Sequence, residues 1–158
     1  MNKKINIPDL LIFILSAELA GALSGIVAGG NFGAFYDTLV KPPLAPPGWL
    51  FPVVWGILYA VMGISAYIIS TSDDIGKSSA LTLYVVQLFA NVLWSPVFFG
   101  LKSFGGAVAV AAVMLVLVVC MIVVFYRIDR RAAFMNIPYL LWTAFALYLT
   151  IGFCVLNQ

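Results

Sequence analysis

The residues of this chain that could do chemistry are mostly aromatic. Its four tryptophans, Trp49, Trp55, Trp94 and Trp142, stand with Tyr36, Tyr59 and Asn91 as the side chains whose types and spacing could form a site. Trp55 and Tyr59 are four residues apart and share one helix face, as do Trp142 and Ala146. Aromatic faces reward stacking and edge contacts, so a cavity lined by them suits a large, flat, apolar ligand, with Asn91 as a polar point. Taken singly, the same residues also fit bundle packing, and Trp49 fits an interfacial belt. Gln87 lies one turn before Asn91 on the same face, and both amides must find partners inside a bundle, either as helix glue or, for Asn91, as a ligand contact. Glu18 is the one carboxyl within an apolar run, where a charge is expensive and marks function by default. Its bland alternative is a protonated or hydrogen-bonded carboxyl facing the bundle interior.

Other chemistries are excluded by what is missing. The chain has no histidine, and Cys120 and Cys154 fall inside apolar runs without a CxxC spacing, so zinc and histidine-ligated haem are not expected. No metal site and no required cofactor is predicted. There is no Ser/His/Asp set and no phosphate-loop motif, and the GGNFG run at residues 29–33 lacks the strand and helix that a phosphate site needs. A net charge of +2, with no basic cluster beyond Arg127, Arg130 and Arg131, speaks against nucleic acid.

The elements that would position these residues are membrane helices. The chain is 64% hydrophobic and 9% charged, with a mean hydropathy of +1.11, whereas a soluble domain is about a quarter charged. Apolar runs of about 18 or more residues read as spans. The expected fold is an all-α integral membrane protein, a five-transmembrane-helix bundle in one domain over residues 1–158, with spans near 9–28, 49–70, 80–100, 105–126 and 133–156. The first apolar run is long enough to span and is expected to be retained rather than cleaved. Ala17, Gly21, Gly25 and Gly29 recur every four residues and offer a face for close helix approach, within the chain or across a dimer. Between the first two spans, residues 30–48 carry Pro42, Pro43, Pro46 and Pro47 and are expected to form a stiff, extended lid. Lys3, Lys4, Lys77, Arg127, Arg130 and Arg131 fall on one side and Lys41 and Lys102 on the other, which predicts a cytoplasmic N-terminus with the lid outside.

At these motifs the chain resembles the TspO/MBR family of tryptophan-rich sensory and translocator proteins. The resemblance runs through Tyr36, Lys41-Pro42 and Pro46-Pro47 before Trp49, then Pro52, Trp55-Gly56 and Tyr59, then Gln87, Asn91, Trp94 and Phe98-Phe99-Gly100, and then Pro138-Tyr139, Trp142 and Phe145-Ala146. It implies a membrane receptor or sensor, often a homodimer, with a cavity beneath the first loop. The cavity would bind tetrapyrroles such as protoporphyrin IX, as ligand or substrate, and isoquinoline or benzodiazepine-type ligands. Carried over by position, the binding residues would be Tyr36, Pro46, Trp55, Asn91, Trp94, Trp142 and Ala146. Bacterial members are associated with light-dependent porphyrin breakdown, for which Trp55 and Trp142 would be the catalytic residues: an excited porphyrin makes reactive oxygen, and an adjacent indole can be oxidised. Trp55 is expected to face Trp142 across the cavity. The absence of histidine and the short C-terminus suggest a bacterial member in the cell membrane.

The chain departs from the family pattern at Leu44, where a tryptophan is common, and at Phe35. Ile151 and Val155 stand where a cholesterol motif would need a tyrosine and a basic residue, so sterol binding is not expected. Specificity is therefore expected to rest more on the helices than on the loop. The competing class is a small multidrug-type transporter using Glu18, and a third reading is a structural membrane protein with a vestigial pocket.

Overall fold

A computed structural model describes residues 5–30 and 32–157. Lys3 and Lys4, which entered the charge count, and Asn31 of the glycine-rich run lie outside the described residues. Helices α1 (Ile7–Val27), α3 (Leu50–Ser70), α4 (Lys77–Ser95) and α5 (Phe104–Ile128) are joined by a short α2 (Phe32–Thr38) after α1, and α6 (Arg130–Met135) leads into α7 (Ile137–Leu156). Five helical stretches are long and apolar enough to cross a membrane, the third running through to Gly100 and the fifth comprising α6 and α7 together. The chain is an all-helical, multi-pass membrane protein.

Small residues decide how α1 meets its neighbours. A Cβ added at Gly63 of α3 would sit 2.6 Å from the Ile14 Cα and 2.7 Å from the Phe13 carbonyl oxygen, and one added at Gly21 would collide with the Tyr59 ring. Of the small-residue face of α1, Gly21 is thus used within the chain against Tyr59 of α3, whereas Gly25 faces Phe32 of α2 and a Cβ at Gly29 would meet nothing within 4 Å. Without a hydrophobic drive between helices in lipid, such close van der Waals approach is what holds the pair.

Pro96 shapes the end of the third span. It has no N–H to donate to the Val92 carbonyl, and that carbonyl instead accepts from the Ser24 hydroxyl of α1 at 2.8 Å. Helix α4 then widens into a π-turn over Pro96–Gly100, with the Leu101 N–H donating to the Pro96 carbonyl at 2.8 Å. The turn carries Phe98 and Phe99 into the bundle.

Two sequence expectations are corrected. Residues 30–48 are not extended throughout, because Phe32–Thr38 is helical. This part has no proline, and Phe32, Phe35 and Tyr36 share a face that packs on Phe99, Phe51 and Phe153. The proline-bearing part, after Thr38, is irregular. There the Ala45 N–H donates to the Pro42 carbonyl at 3.2 Å, closing a turn in which Leu44 takes the left-handed conformation (φ 66°) and is 80% exposed. The charged segment Arg127–Arg131, between the expected fourth and fifth spans at 105–126 and 133–156, is not a connecting loop either. Asp129 alone breaks the helix, and its carboxylate accepts from the Arg131 and Ala132 N–H groups to start α6. At the next break, buried Asn136 donates both to the Ala132 carbonyl and to Ser65 of α3, each at 2.8 Å, pinning the kink between α6 and α7 to α3.

The core divides in two. One cluster, around Met62, Ile69, Met121, Phe125 and Tyr139, closes the end of the bundle where α6 packs on α3. The other gathers Phe98, Leu149 and Phe153 about Tyr36 of α2. Between them α3 and α7 approach only sparsely.

Candidate functional site

The space left between the two clusters is a cavity of about 540 Å³. Each wall follows from helical spacing. Phe51, Trp55 and Tyr59 recur every four residues on α3, and Ala146, Leu149, Thr150 and Phe153 recur at three- and four-residue steps on α7. Gly21, Ser24 and Gly25 supply a thin wall on α1, and Asn91, Trp94, Phe98 and Phe99 complete the third side. Phe32 and Tyr36 of α2 cover the opening together with Gly48 and Trp49. No charged side chain is among the lining residues.

The sequence-predicted residues fall into two groups. Tyr36, Trp55, Asn91, Trp94 and Ala146 line the cavity, whereas Pro46 and Trp142 do not. Pro46 acts through its carbonyl, which accepts from the Tyr36 hydroxyl at 2.6 Å. Burial and the neighbouring Asp37 carboxylate raise the Tyr36 pKa above that of an ordinary phenol, so the group stays a neutral donor. Trp142 packs against Phe51 and Phe145, with ring centroids 6.1 and 5.6 Å away. The expected facing of Trp55 and Trp142 across the cavity is therefore not found: Phe51, one turn before Trp55, takes the place beside Trp142. Trp55 instead stacks on Tyr59 (5.6 Å, 30°) and meets Tyr139 edge-on at 6.2 Å.

Beneath Trp55 lies a buried polar chain. The Tyr59 hydroxyl donates to Asn91 Oδ1 at 2.6 Å, Asn91 Nδ2 donates to the Tyr139 hydroxyl at 2.9 Å, and that hydroxyl donates to Gln87 Oε1 at 2.7 Å. Gln87 Nε2 ends the chain on the Met62 sulfur at 3.8 Å. Asn91 and Gln87 thus find their partners on α3 and α7, and Asn91 also reaches the cavity wall. Converting Tyr139 to phenylalanine leaves both amides one partner short. We expect this variant to lose about 1–2 kcal/mol of stability, measured as a lower unfolding midpoint in detergent. An unchanged midpoint would show that the network holds nothing together.

Trp94 stacks on Phe98 (5.0 Å, 19°), and its buried indole nitrogen has no partner among the described residues. Glu18 is half-buried on α1 and is not part of the lining. The contributions of Phe51, Phe98, Phe99, Phe153 and Tyr139 were not assigned from the sequence. The four-residue spacing from Phe51 to Trp55 on α3 and the periodic run through Phe153 on α7 carried the signals that could have found two of them.

The lid is tied to α7. The Val40 N–H donates to Asn157 Oδ1 at 2.8 Å, Asn157 Nδ2 donates back to the Val40 carbonyl at 2.9 Å, and Tyr148 donates to the Pro43 carbonyl at 2.9 Å. Gly152 makes room for buried Pro42, since a Cβ there would lie 2.5 Å from the proline ring. The irregular segment is thereby held over the cavity without regular secondary structure of its own.

Comparison with known proteins places this architecture. Residues 13–156 match the sequence pattern of the TspO/MBR family. The chain is 38% identical over 138 residues to the tryptophan-rich sensory protein of Cereibacter sphaeroides, covering 87% of this chain and 86% of that protein. It is 36% identical over 137 residues to protein CrtK of Rhodobacter capsulatus, covering 85% and 84%. With the human translocator protein it shares 32% identity over 146 residues, covering 90% and 85%.

Proposed function

Because the chain belongs to the TspO/MBR family, we propose that it is a membrane sensor whose cavity binds tetrapyrroles such as protoporphyrin IX, together with flat aromatic ligands of the isoquinoline or benzodiazepine type. The observation that carries this reading is the cavity itself: about 540 Å³, walled by aromatic rings and free of charged side chains. That volume lies in the range of small-molecule sites. Its rings offer faces and edges to a planar macrocycle. The names borne by relatives, a sensory protein in one and a translocator protein in others, agree with a receptor role. The resemblance adds a homodimer in a bacterial cell membrane with the N-terminus cytoplasmic, and light-dependent breakdown of the bound porphyrin.

The test is a titration of protoporphyrin IX followed by its fluorescence, in detergent and in bilayers. Saturable binding is expected, and its absence in both media sinks the reading. Trp55→Phe should weaken binding about threefold to tenfold, since Trp55 lines the cavity and an indole face gives roughly 0.5–1.5 kcal/mol of ring contact. Trp142→Phe should change affinity less than about twofold, as expected when a residue only supports Phe51. Under illumination the same order is expected for product spectra. Equal effects from the two variants would mean that the ligand reaches past Phe51 to Trp142.

A further inference from the structure

A tetrapyrrole with propionate side chains brings two carboxylates to a cavity that offers them no charge. A carboxylate buried without a partner is strongly disfavoured, so the acidic edge of such a ligand must leave the aromatic chamber or meet a cation at its border. Lys102 stands there. A second cavity of about 230 Å³ is lined by Ala28, Gly29, Phe35, Phe99 and Lys102, and Phe99 also lines the main cavity. The Phe99 ring meets Phe32 at 5.0 Å and Phe35 at 6.1 Å, so the two spaces share one aromatic partition.

Lys102 is built into this position. Its backbone is left-handed, with φ 52°, a conformation that residues other than glycine rarely adopt and that tends to mark functional sites. Its ammonium lies 5.0 Å from the centre of the Phe35 ring, a cation–π contact that does not neutralise the charge. Lys41, on the adjoining ring of α2, differs. It lies 4.8 Å from the centre of the Tyr36 ring but already pairs with Asp37 at 3.2 Å. No carboxylate ion pair of Lys102 is formed among the described residues.

We propose that the small cavity beside Phe99 is a carboxylate subsite in which Lys102 receives an acidic side chain of a ligand whose ring system occupies the main cavity. This rests on the tetrapyrrole reading above and adds to it a preference for acidic over neutral ligands. The preference is modest, because Lys102 is exposed and its charge is partly screened.

The experiment compares protoporphyrin IX with its dimethyl ester on the full chain in phosphatidylcholine nanodiscs, where no anionic lipid competes. Wild type should bind the diacid about threefold to tenfold more tightly than the diester, a ratio that shrinks as salt is added. In Lys102→Gln the ratio should fall toward one, and Lys102→Arg should restore it. If wild type binds acid and ester equally, or if Lys102→Gln keeps the full ratio, the subsite is overturned while the tetrapyrrole reading stands. If neither compound binds, both are overturned.

Discussion

Gly63→Leu is expected to lower the stability of the folded bundle by more than about 3 kcal/mol. The reason is the identity of what stands opposite. A Cβ at this position would approach the Ile14 Cα at 2.6 Å and the Ile14 nitrogen at 2.9 Å, so the obstacle is backbone, which cannot turn aside as a flexible side chain can. The larger side chain must push α1 away from α3, and close packing of that pair cannot be replaced by a hydrophobic drive when lipid is the alternative surroundings. At Gly21 the obstacle is the Tyr59 ring, so a substitution there would also disturb the donor to Asn91. The measurement is equilibrium unfolding in mixed micelles. Gly56→Leu serves as the control, because a Cβ there meets nothing within 4 Å, and it should shift stability by less than about 0.5 kcal/mol. Equal stabilities for the two variants would refute the close-approach account.

Ala146→Trp should separate ligand binding from stability. Ala146 lines the main cavity on the same α7 face as Leu149 and Phe153, and an indole there would enter space that a ligand needs. Porphyrin affinity is expected to fall at least tenfold, about 1.4 kcal/mol or more. The unfolding midpoint should hold or rise, because the added ring fills an existing void rather than a packed core. Undiminished affinity would place the ligand elsewhere, and a collapse in stability would mean that the void is needed to accommodate the fold. Comparing this variant with Gly63→Leu distinguishes a blocked site from a broken bundle.

The parts of the molecule that could be read in advance are those governed by local rules. Trp55 and Tyr59 share a face because of helical geometry alone, and they stack. Gln87 and Asn91 had to find polar partners because amides in lipid are expensive, and both did. Their partners could not be read: Tyr59 and Tyr139 come from helices separated in sequence by 32 and 48 residues from Asn91. Trp142 shows the opposite outcome. Its spacing to Ala146 was correct, yet a small rotation of α7 decides which residue faces the chamber, and it is Ala146 that does. Leu44, at the site of a common family tryptophan, proved to be the exposed tip of a turn, which no composition argument could have foreseen.

The amino-acid sequence by itself determined that this protein lies in a membrane, that it crosses five times, where the spans begin and end to within a few residues, and which family it resembles. Hydropathy suffices for that because burial in lipid is a one-dimensional property of a run of residues. The tertiary structure alone decided which faces look inward. In a soluble helix the polar side marks the outside, but here both lipid and core are apolar, so the pattern along α3, α5 or α7 carries little record of its orientation. The cavity arises where Pro96 widens a helix, where glycines bring α1 onto α3, and where α3 and α7 are held apart by the rings between them. Lys102 beside Phe99 is a consequence of the same assembly, since the two meet Phe35 only after α2 has folded across the mouth.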